Sequence, residues 1–394
     1  MKSAEIVIVG GGMVGLALAG LLAECDCQIK LIEKQAPQPP EAAFSNRVSA
    51  INFSSQQMLE QIGAWQKIPE NRRAPYTQMS VSEKDSFAKI HFDNNDPLIK
   101  QLGLAQLGTI VENNQIQWAL WQIVSQQANV EILLDSPKTL GISDSGAFLT
   151  LESGEILSAK LVVGADGAHS WVRNQSQMPL ISQDYQHTAL VCNVRTAEPH
   201  QQTARQIFSP ESILAFLPLA EADLCSIVWS LPPEQAQALQ TMDEKAFCQA
   251  LNIAFDNQLG LCELQSSRQI YPLVALYARD FAKARVAIVG DAAHTIHPLA
   301  GLGVNLGFAD VITLAAEIKQ HLQLGNDIGE HRHLRQFERK RKAEAIKVLA
   351  AMKGLKELFH GDNPLKKLLR GVGLTLADKN TLIKKFFIEQ TLHF

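Results

Sequence analysis

The 394-residue chain has no run of eighteen consecutive apolar residues, so it contains no stretch suited to span a bilayer as a helix. It has no excess of positive charge: 36 Lys and Arg stand against 40 Asp and Glu, a net charge of -4 that argues against nucleic acid as the main partner. Cysteine is sparse and carries no metal pattern. Of Cys25, Cys27, Cys192, Cys225, Cys248 and Cys262, the nearest two are separated by a single residue, and all six are read as reduced packing thiols without a structural metal. Internal repeats and low-complexity tracts are absent too. What the chain does have is a 46% hydrophobic composition, enough for a large core and two intertwined domains.

Three short glycine-bearing stretches carry the chemistry. The first, Gly10-Gly11-Gly12-Met13-Val14-Gly15, follows Glu5-Ile6-Val7-Ile8-Val9 and precedes Leu16-Ala17-Leu18-Ala19, so it reads as strand, tight turn and helix. Gly10 permits the turn, Gly12 lets the backbone approach a pyrophosphate, and Gly15 lets helix and strand pack closely, while the N–H groups of the helix start suit phosphate charge. A second apolar run, Gln28-Ile29-Lys30-Leu31-Ile32, ends at Glu33, an acid suited to ribose hydroxyls rather than to a 2′-phosphate. The adenosine end therefore belongs to FAD or NAD. This N-terminus imitates a secretory signal, but Glu5 interrupts it and the glycines answer to phosphate geometry, so the chain is expected in the cytoplasm.

The second stretch, Gly164-Ala165-Asp166-Gly167-Ala168-His169-Ser170 with Arg173, follows the strand-like Leu161-Val162-Val163. The third, Gly290-Asp291-Ala292-Ala293-His294 with Pro298, follows Arg285-Val286-Ala287-Ile288-Val289. An aspartate at a strand's carboxyl end can accept from a ribitol or ribose hydroxyl, and small neighbours admit the ligand. A loop bearing Pro37, Pro39 and Pro40 is long enough to pass over a ligand. Helices are expected near 54–62, 113–127 and 308–321, and β-type alternation near 76–92, 185–195, 203–219 and 224–230. The expected fold is α/β: a Rossmann-type dinucleotide fold interrupted by a mostly antiparallel sheet, with C-terminal helices. Residues 1–72, 103–176 and 270–330 are assigned to the FAD-binding domain, 73–102 and 177–269 to a substrate domain, and 331–394 to a C-terminal helical region. There Arg335, Arg339, Lys340, Arg341, Lys342 and Lys347 are interleaved with Leu349, Met352, Leu355, Leu358 and Phe359. That pattern suits either a solvated helical face or a basic amphipathic surface docking on lipid or a partner.

In this order the three stretches resemble the dinucleotide fingerprint, the Asp-Gly motif and the Gly-Asp motif of the class A flavoprotein monooxygenases, aromatic hydroxylases built on the para-hydroxybenzoate hydroxylase fold. Arg47-Val48-Ser49-Ala50-Ile51-Asn52, Phe216-Leu217-Pro218-Leu219, Ser226-Ile227-Val228-Trp229-Ser230 and the run from Gly290 to Pro298 further resemble the ubiquinone-biosynthesis hydroxylases, most of all those acting on 2-octaprenylphenol. The likeness extends through Asn252-Ile253-Ala254-Phe255-Asp256-Asn257 and Gly361-Asp362-Asn363-Pro364 and covers nearly the whole chain. It implies FAD as cofactor, NADPH or NADH as reductant, and hydroxylation of a polyprenylphenol by O2 through a flavin C4a-hydroperoxide, at ring carbon C5. It also implies that Gly10, Gly12, Gly15 and Glu33 hold the adenosine diphosphate, that Arg47 lies near the pyrophosphate or flavin, that Asp291 binds ribitol and that Asp166 contacts FAD or NAD(P)H. The run Pro298, Leu299, Ala300, Gly301, Leu302, Gly303, Val304, Asn305 would face the isoalloxazine ring. The family commonly has Gln where this chain has Leu302. No second GxGxxG is visible, as expected of a family without a separate nicotinamide domain.

No catalytic base stands out. His187, His294 and Tyr185 are candidates for helping deprotonate a phenol, and none is assigned that role. Tyr185, Phe216, Pro218 and Trp229 either line an apolar substrate channel or pack a core. A polyprenyl tail needs access from a bilayer or carrier, which would give the basic C-terminal helices a purpose at the inner membrane or within a ubiquinone-biosynthesis complex. Two alternatives stand beside this reading: the same fold acting at another ring position or as an epoxidase or reductase, and a noncatalytic FAD-binding scaffold.

Overall fold

Ile6, Val7, Ile8 and Val9 are consecutive and all buried, the mark of a strand covered on both faces. Their strand, Lys2–Val9, runs parallel to Ile29–Glu33 on one side and Ile156–Gly164 on the other. The computed structural model describes residues 2–84, 89–96, 99–100, 103, 105–295 and 303–359, with the backbone alone over 351–353 and 355–359. An eight-stranded sheet is built on these strands, in the order Ala282–Lys283, Val286–Ile288, Ile156–Gly164, Lys2–Val9, Ile29–Glu33, Val130–Leu134. The hairpin Pro137–Ser143 and Gly146–Leu151 joins it through its second strand.

Register is what positions the site. Val9 pairs with Gly164 and Gly164 with Ile288, so strands far apart in sequence end level. The turns beyond them are stitched together: Ala165 N–H donates to Val9 O at 2.8 Å, Gly10 N–H to Ile32 O at 2.9 Å and Val289 N–H to Gly164 O at 2.9 Å. Open α/β sheets bind ligands at this carboxyl edge.

The helices used below are α1 (Met13–Leu21), α2 (Phe53–Ile62), α3 (Asn113–Val124), α4 (Trp171–Gln175), α5 (Pro233–Thr241), α6 (Glu244–Ala254), α7 (Gly303–Gln323) and α8 (His331–Phe359). α1 is buried from Gly15 to Leu21 and packs against α3 and α7. Asn52 caps α2, its Oδ1 accepting from Ser55 N–H at 2.9 Å. α7 begins at Gly303, five residues before the start expected from the sequence. Among the described residues, no helix is long and apolar enough to cross a membrane.

A nine-stranded, mostly antiparallel sheet runs in the order His294–Thr295, Gln269–Ala278, Leu180–Thr196, Leu224–Leu231, Ile213–Pro218, Thr203–Phe208, Gln78–Glu83, Lys89–Asp93, with Cys262–Leu264 paired to Leu180–Thr196. The β runs read over 76–92 and 203–219 each contain two strands. Strand alternation gives this sheet two distinct faces. On one, Leu190, Leu214, Phe216, Ile227 and Trp229 pack with Phe247, Leu251 and Phe255 of and just beyond α6. Cys192, Cys225, Cys248 and Cys262 share that cluster, where burial pushes the thiols of Cys192, Cys225 and Cys262 up to about 12. On the other face, Ala215, Leu217 and Val228 meet Ala50, Ala74 and Ile110 of a three-stranded sheet, Val48–Ile51, Gly108–Glu112 and Arg73–Tyr76. Tyr185, Ala189, Leu273 and Ala275 form a further apolar cluster, with Val228 and Leu349 of α8 against it. The hairpin over 137–151 and helices α5 and α6 fall outside the sequence reading.

Candidate cofactor-binding site

Gly10 sits at φ +110°, and a Cβ there would lie 2.4 Å from Ala165 O, so a side chain is excluded by both conformation and space. Gly12 is the opposite case. A Cβ at Gly12 would meet nothing within 4 Å, and α1 starts there with no side-chain cap and no acid in its first turn. An open cradle at an uncapped helix N-terminus is a site for a phosphate group. Glu33 stands beside it, Oε2 accepting from Gly11 N–H at 2.5 Å and Oε1 from Lys34 N–H at 2.8 Å. From α3, Gln117 Nε2 donates to Gly11 O at 2.9 Å.

The second turn is held by its own residues. Asp166 Oδ1 accepts from Ser170 Oγ at 2.5 Å and Oδ2 from Val172 N–H at 3.0 Å, while Ser170 Oγ caps α4 by accepting from Arg173 N–H at 3.0 Å. The buried Arg173 guanidinium donates to Ala168 O and Ala292 O, both at 2.9 Å, and so ties the second turn to the third. Burial lowers its pKa, against the pull of Asp166.

The third turn abuts the first: a Cβ at Gly290 would lie 3.2 Å from Val14 Cγ1. Gly290 N–H donates to Asp310 Oδ2 of α7 at 2.9 Å, and His294 Nε2 lies 2.7 Å from the same oxygen. Arg341 of α8 donates from Nε to Asp310 Oδ1 at 2.7 Å and from Nη2 to Leu306 O at 3.3 Å. Burial alone would push the Asp310 carboxyl up, but His294 and Arg341 hold it below its ordinary value. Asp291 is solvent-accessible yet crowded by protein atoms, as at the floor of a cleft. Burial pushes its carboxyl up, His294 and Arg47 pull it down, and Asp310 pushes it up. The exposed Arg47 guanidinium lies 5.6 Å above the Tyr271 ring.

The proline-bearing loop is anchored over this edge. Arg72 Nη1 pairs with Glu112 Oε2 at 3.0 Å, Nη2 donates to Glu41 O at 3.2 Å, and the guanidinium covers the Phe44 ring at 4.2 Å. Glu112 Oε1 also accepts from Ser45 N–H at 2.6 Å, and burial pushes this carboxyl up against the Ser45 and Arg72 contacts. Beneath the loop lies a cavity of about 540 Å³ reached by Arg47, Asn114, Gln117, Ser267 and Gln269.

A model of the FAD binding domain matches residues 3–351, nearly all of the described chain. The chain belongs to the FAD-binding-domain family. It is a FAD-dependent aromatic monooxygenase of that family. It is 34% identical to the ubiquinone biosynthesis monooxygenase COQ6, mitochondrial, of Xenopus tropicalis, over 97% of this chain and 91% of that protein. It is 32% identical to the 3-demethoxyubiquinol 3-hydroxylase of Escherichia coli strain K12, over 98% of each. In fold it is similar to p-nitrophenol 4-monooxygenase PnpA from Pseudomonas putida DLL-E4, with a TM-score of 0.80 at 19% identity over 99% of both chains. FAD fits the residues present, because the cradle at Gly12 is open and Asp291 faces the cleft without being shut off from it.

Gly10, Gly12, Gly15, Glu33, Arg47 and Asp291 are gathered at this edge of the FAD-binding fold, and Gly303 and Val304 open α7. Pro298, Gly301 and Leu302 lie outside the described residues, as do Leu299 and Ala300. Asn305 turns inward: its Nδ2 donates to Ala50 O at 2.7 Å and its Oδ1 accepts from Asn52 N–H at 3.1 Å, so only its backbone is left for a cofactor. Both Asp166 oxygens accept from protein donors, so its carboxylate organises the turn. Of the two expectations for Phe216, Pro218 and Trp229, core packing is the one their placement favours, because alternation turns Phe216 and Trp229, and Pro218 with Phe216, toward the cluster that includes α6; Phe216 stacks on Phe255 with centroids 3.6 Å apart. Tyr185 lies on the opposite face, and burial pushes its hydroxyl up. His187 Nδ1 lies 3.0 Å from Ser230 Oγ, and His294 is enclosed with Asp310.

Arg341 departs from the expected basic surface of the C-terminal region, because it is buried. The α8 positions Leu334, Phe337, Arg341, Ala345 and Val348 recur every three or four residues and all are buried, while Arg335, Arg339 and Lys340 face outward. Asp310, Arg341, Gln117 and Tyr271 are site residues that the sequence reading missed. Two carried a signal: Asp310 is an acid amid the apolar run Leu306 to Val311, and Arg341 a cation at an apolar period.

Proposed function

We propose that this chain hydroxylates the aromatic ring of a polyprenylphenol in ubiquinone biosynthesis, at C5 of 2-octaprenylphenol, with NADPH or NADH as reductant. The observation that carries this reading is the face of the antiparallel sheet turned toward the cofactor turn. Tyr271 on that face holds Arg47, whose charge acts on Asp291, and the same face carries the apolar residues Ala189, Leu273 and Val228. An apolar wall beside a flavin pocket suits a prenylated phenol, and the names of the relatives from Xenopus and Escherichia coli support that substrate class.

Bound FAD would supply the redox and oxygen chemistry. The chain's own residues bind and orient: Glu33 would accept from ribose hydroxyls, the N–H groups of α1 would meet the pyrophosphate, and Asp291 would accept from ribitol. The N–H groups at Gly303 and Val304 would favour negative charge on the ring system. Tyr185, Ala189, Val228 and Leu273 would exclude water from the reacting ring. On this reading residues 1–72, 103–176 and 270–330 hold FAD, 73–102 and 177–269 shape the substrate chamber, and α8, the part of the assigned region 331–394 that lies within the described residues, offers its outward basic residues Arg335, Arg339 and Lys340 to lipid or a carrier protein.

Mass spectrometry of quinone-pathway lipids, with the gene deleted and then restored, tests the substrate. Accumulated 2-octaprenylphenol that disappears on restoration is the expected result; accumulation of a later intermediate reassigns the ring position, and an unchanged profile overturns the reading. Anaerobic mixing of the holoprotein with NADH or NADPH separates an enzyme from a scaffold, because only an enzyme bleaches the flavin and recovers colour in air.

A further inference from the structure

The strongest unassigned feature is the buried cluster behind the third turn. Asp310 is wholly buried, and its carboxylate receives Gly290 N–H, His294 Nε2 and Arg341 Nε within 2.9 Å. Gly290 and His294 bracket Asp291, the acid at the cleft floor. Arg341 comes from α8, an element outside the three glycine-bearing stretches. A buried carboxylate needs a full counter-charge, and Arg341 supplies it from the far side of the turn.

We infer that Arg341 is a positioning residue of the flavin site: through Asp310 it sets the turn that carries Asp291, so FAD binding and docking of α8 are one coupled equilibrium. The geometry gives the reason. With Arg341 in place, Asp310 can hold both Gly290 N–H and His294, and Asp291 is presented to the cleft. If Arg341 leaves, Asp310 is left buried beside Asp291 with only its contacts to Gly290 N–H and His294 Nε2, and the turn relaxes toward whatever neutralises it. By linkage, a ligand that needs the turn in place stabilises α8, and α8 in place strengthens the ligand. The inference rests on FAD binding alone and is independent of which ring carbon is hydroxylated.

The test uses the full-length holoprotein. Arg341→Met should weaken FAD binding on the order of tenfold, read as flavin fluorescence released on dilution, and shift the visible spectrum of the bound flavin. Arg341→Lys should restore part of both. Phe216→Ala removes a buried contact in the separate cluster around α6, away from α8, and serves as the control for loss of thermal stability. Equal weakening by Phe216→Ala and Arg341→Met, or none from Arg341→Met, overturns the inference. The wild-type protein supplies a test that needs no variant: hydrogen exchange across 334–348 should slow when FAD is added to the stripped protein. Unchanged exchange also overturns it.

Discussion

At the scale of single residues, two carboxylates at the flavin edge have different duties and should respond differently to neutralisation. Glu33 accepts from Gly11 N–H at 2.5 Å while standing where ribose hydroxyls would come. Glu33→Gln gives up hydrogen bonds to a charged acceptor, each worth about 1.5–3 kcal/mol, so FAD affinity should fall about ten- to a hundredfold in a fluorescence titration. Asp291 has its carboxyl raised by burial. In the window between its ordinary and its raised value the folded apoprotein keeps a proton that the unfolded chain has lost, so stability falls as pH rises through that window and stays lower above it. Asp291→Asn should flatten this slope in urea melts of the apoprotein while weakening FAD; a slope identical to wild type would count against the assignment. Asp310 runs the other way. Its carboxyl is held below the ordinary value, so its contribution is present above that value and is lost as pH falls through the lowered one.

At the scale of elements, the two faces of the antiparallel sheet predict opposite phenotypes. Phe216 packs flat on Phe255, with an interplanar angle of 11°, on the face away from the cofactor turn. Phe216→Ala should cost about 3–5 kcal/mol of stability and leave the FAD dissociation constant unchanged, as denaturant and flavin titrations would report. The loop over the site depends on one buried pair instead. Arg72→Met leaves Glu112 buried without its cation, a loss of about 3–5 kcal/mol, and the double change Arg72→Met with Glu112→Gln should recover part of it, the contacts of Arg72 with Glu41 O and Phe44 staying lost. If the single and double variants were equally stable, the pair would not be what holds the loop.

At the scale of the whole molecule, the cofactor joins parts that are distant in sequence, so its occupancy should govern global stability. A ligand at a hundred times its dissociation constant adds about 2.7 kcal/mol to a protein that binds it only when folded. At an unfolding entropy of about 2.1 cal/mol/K per residue, a 394-residue chain should have its melting temperature raised by FAD by about 3 °C. Scanning fluorimetry with and without FAD checks this, and a melting temperature indifferent to FAD would contradict a pocket assembled from all three turns.

Much of this protein was legible before folding. The parallel strands and their glycine turns are local: an unbroken apolar run such as Ile6 to Val9 requires cover on both faces, and Gly10 marks the turn that follows it, although the contact with Ala165 that also excludes a side chain there is tertiary. The same local physics placed α3 and the heart of α7, and it marked Glu33 and Asp291 as acids at strand ends. Other features depend on which distant atoms arrive alongside. Phe216 and Trp229 read equally well as channel or core, and strand register turned them toward α6. Asn305 looked free for a cofactor until Ala50 and Asn52 engaged its amide. Arg341 looked like one cation among several on a basic helix, and its partner Asp310 lies 31 residues earlier. Backbone preference and hydrophobic period act over a few residues, so sequence alone determined the parallel strands and the glycine turns of a dinucleotide fold, and the order of those turns carried the resemblance that implies a flavin. Burial of charge is settled only when separate elements meet, so tertiary structure alone decided which arginine serves the surface and which completes the cofactor site.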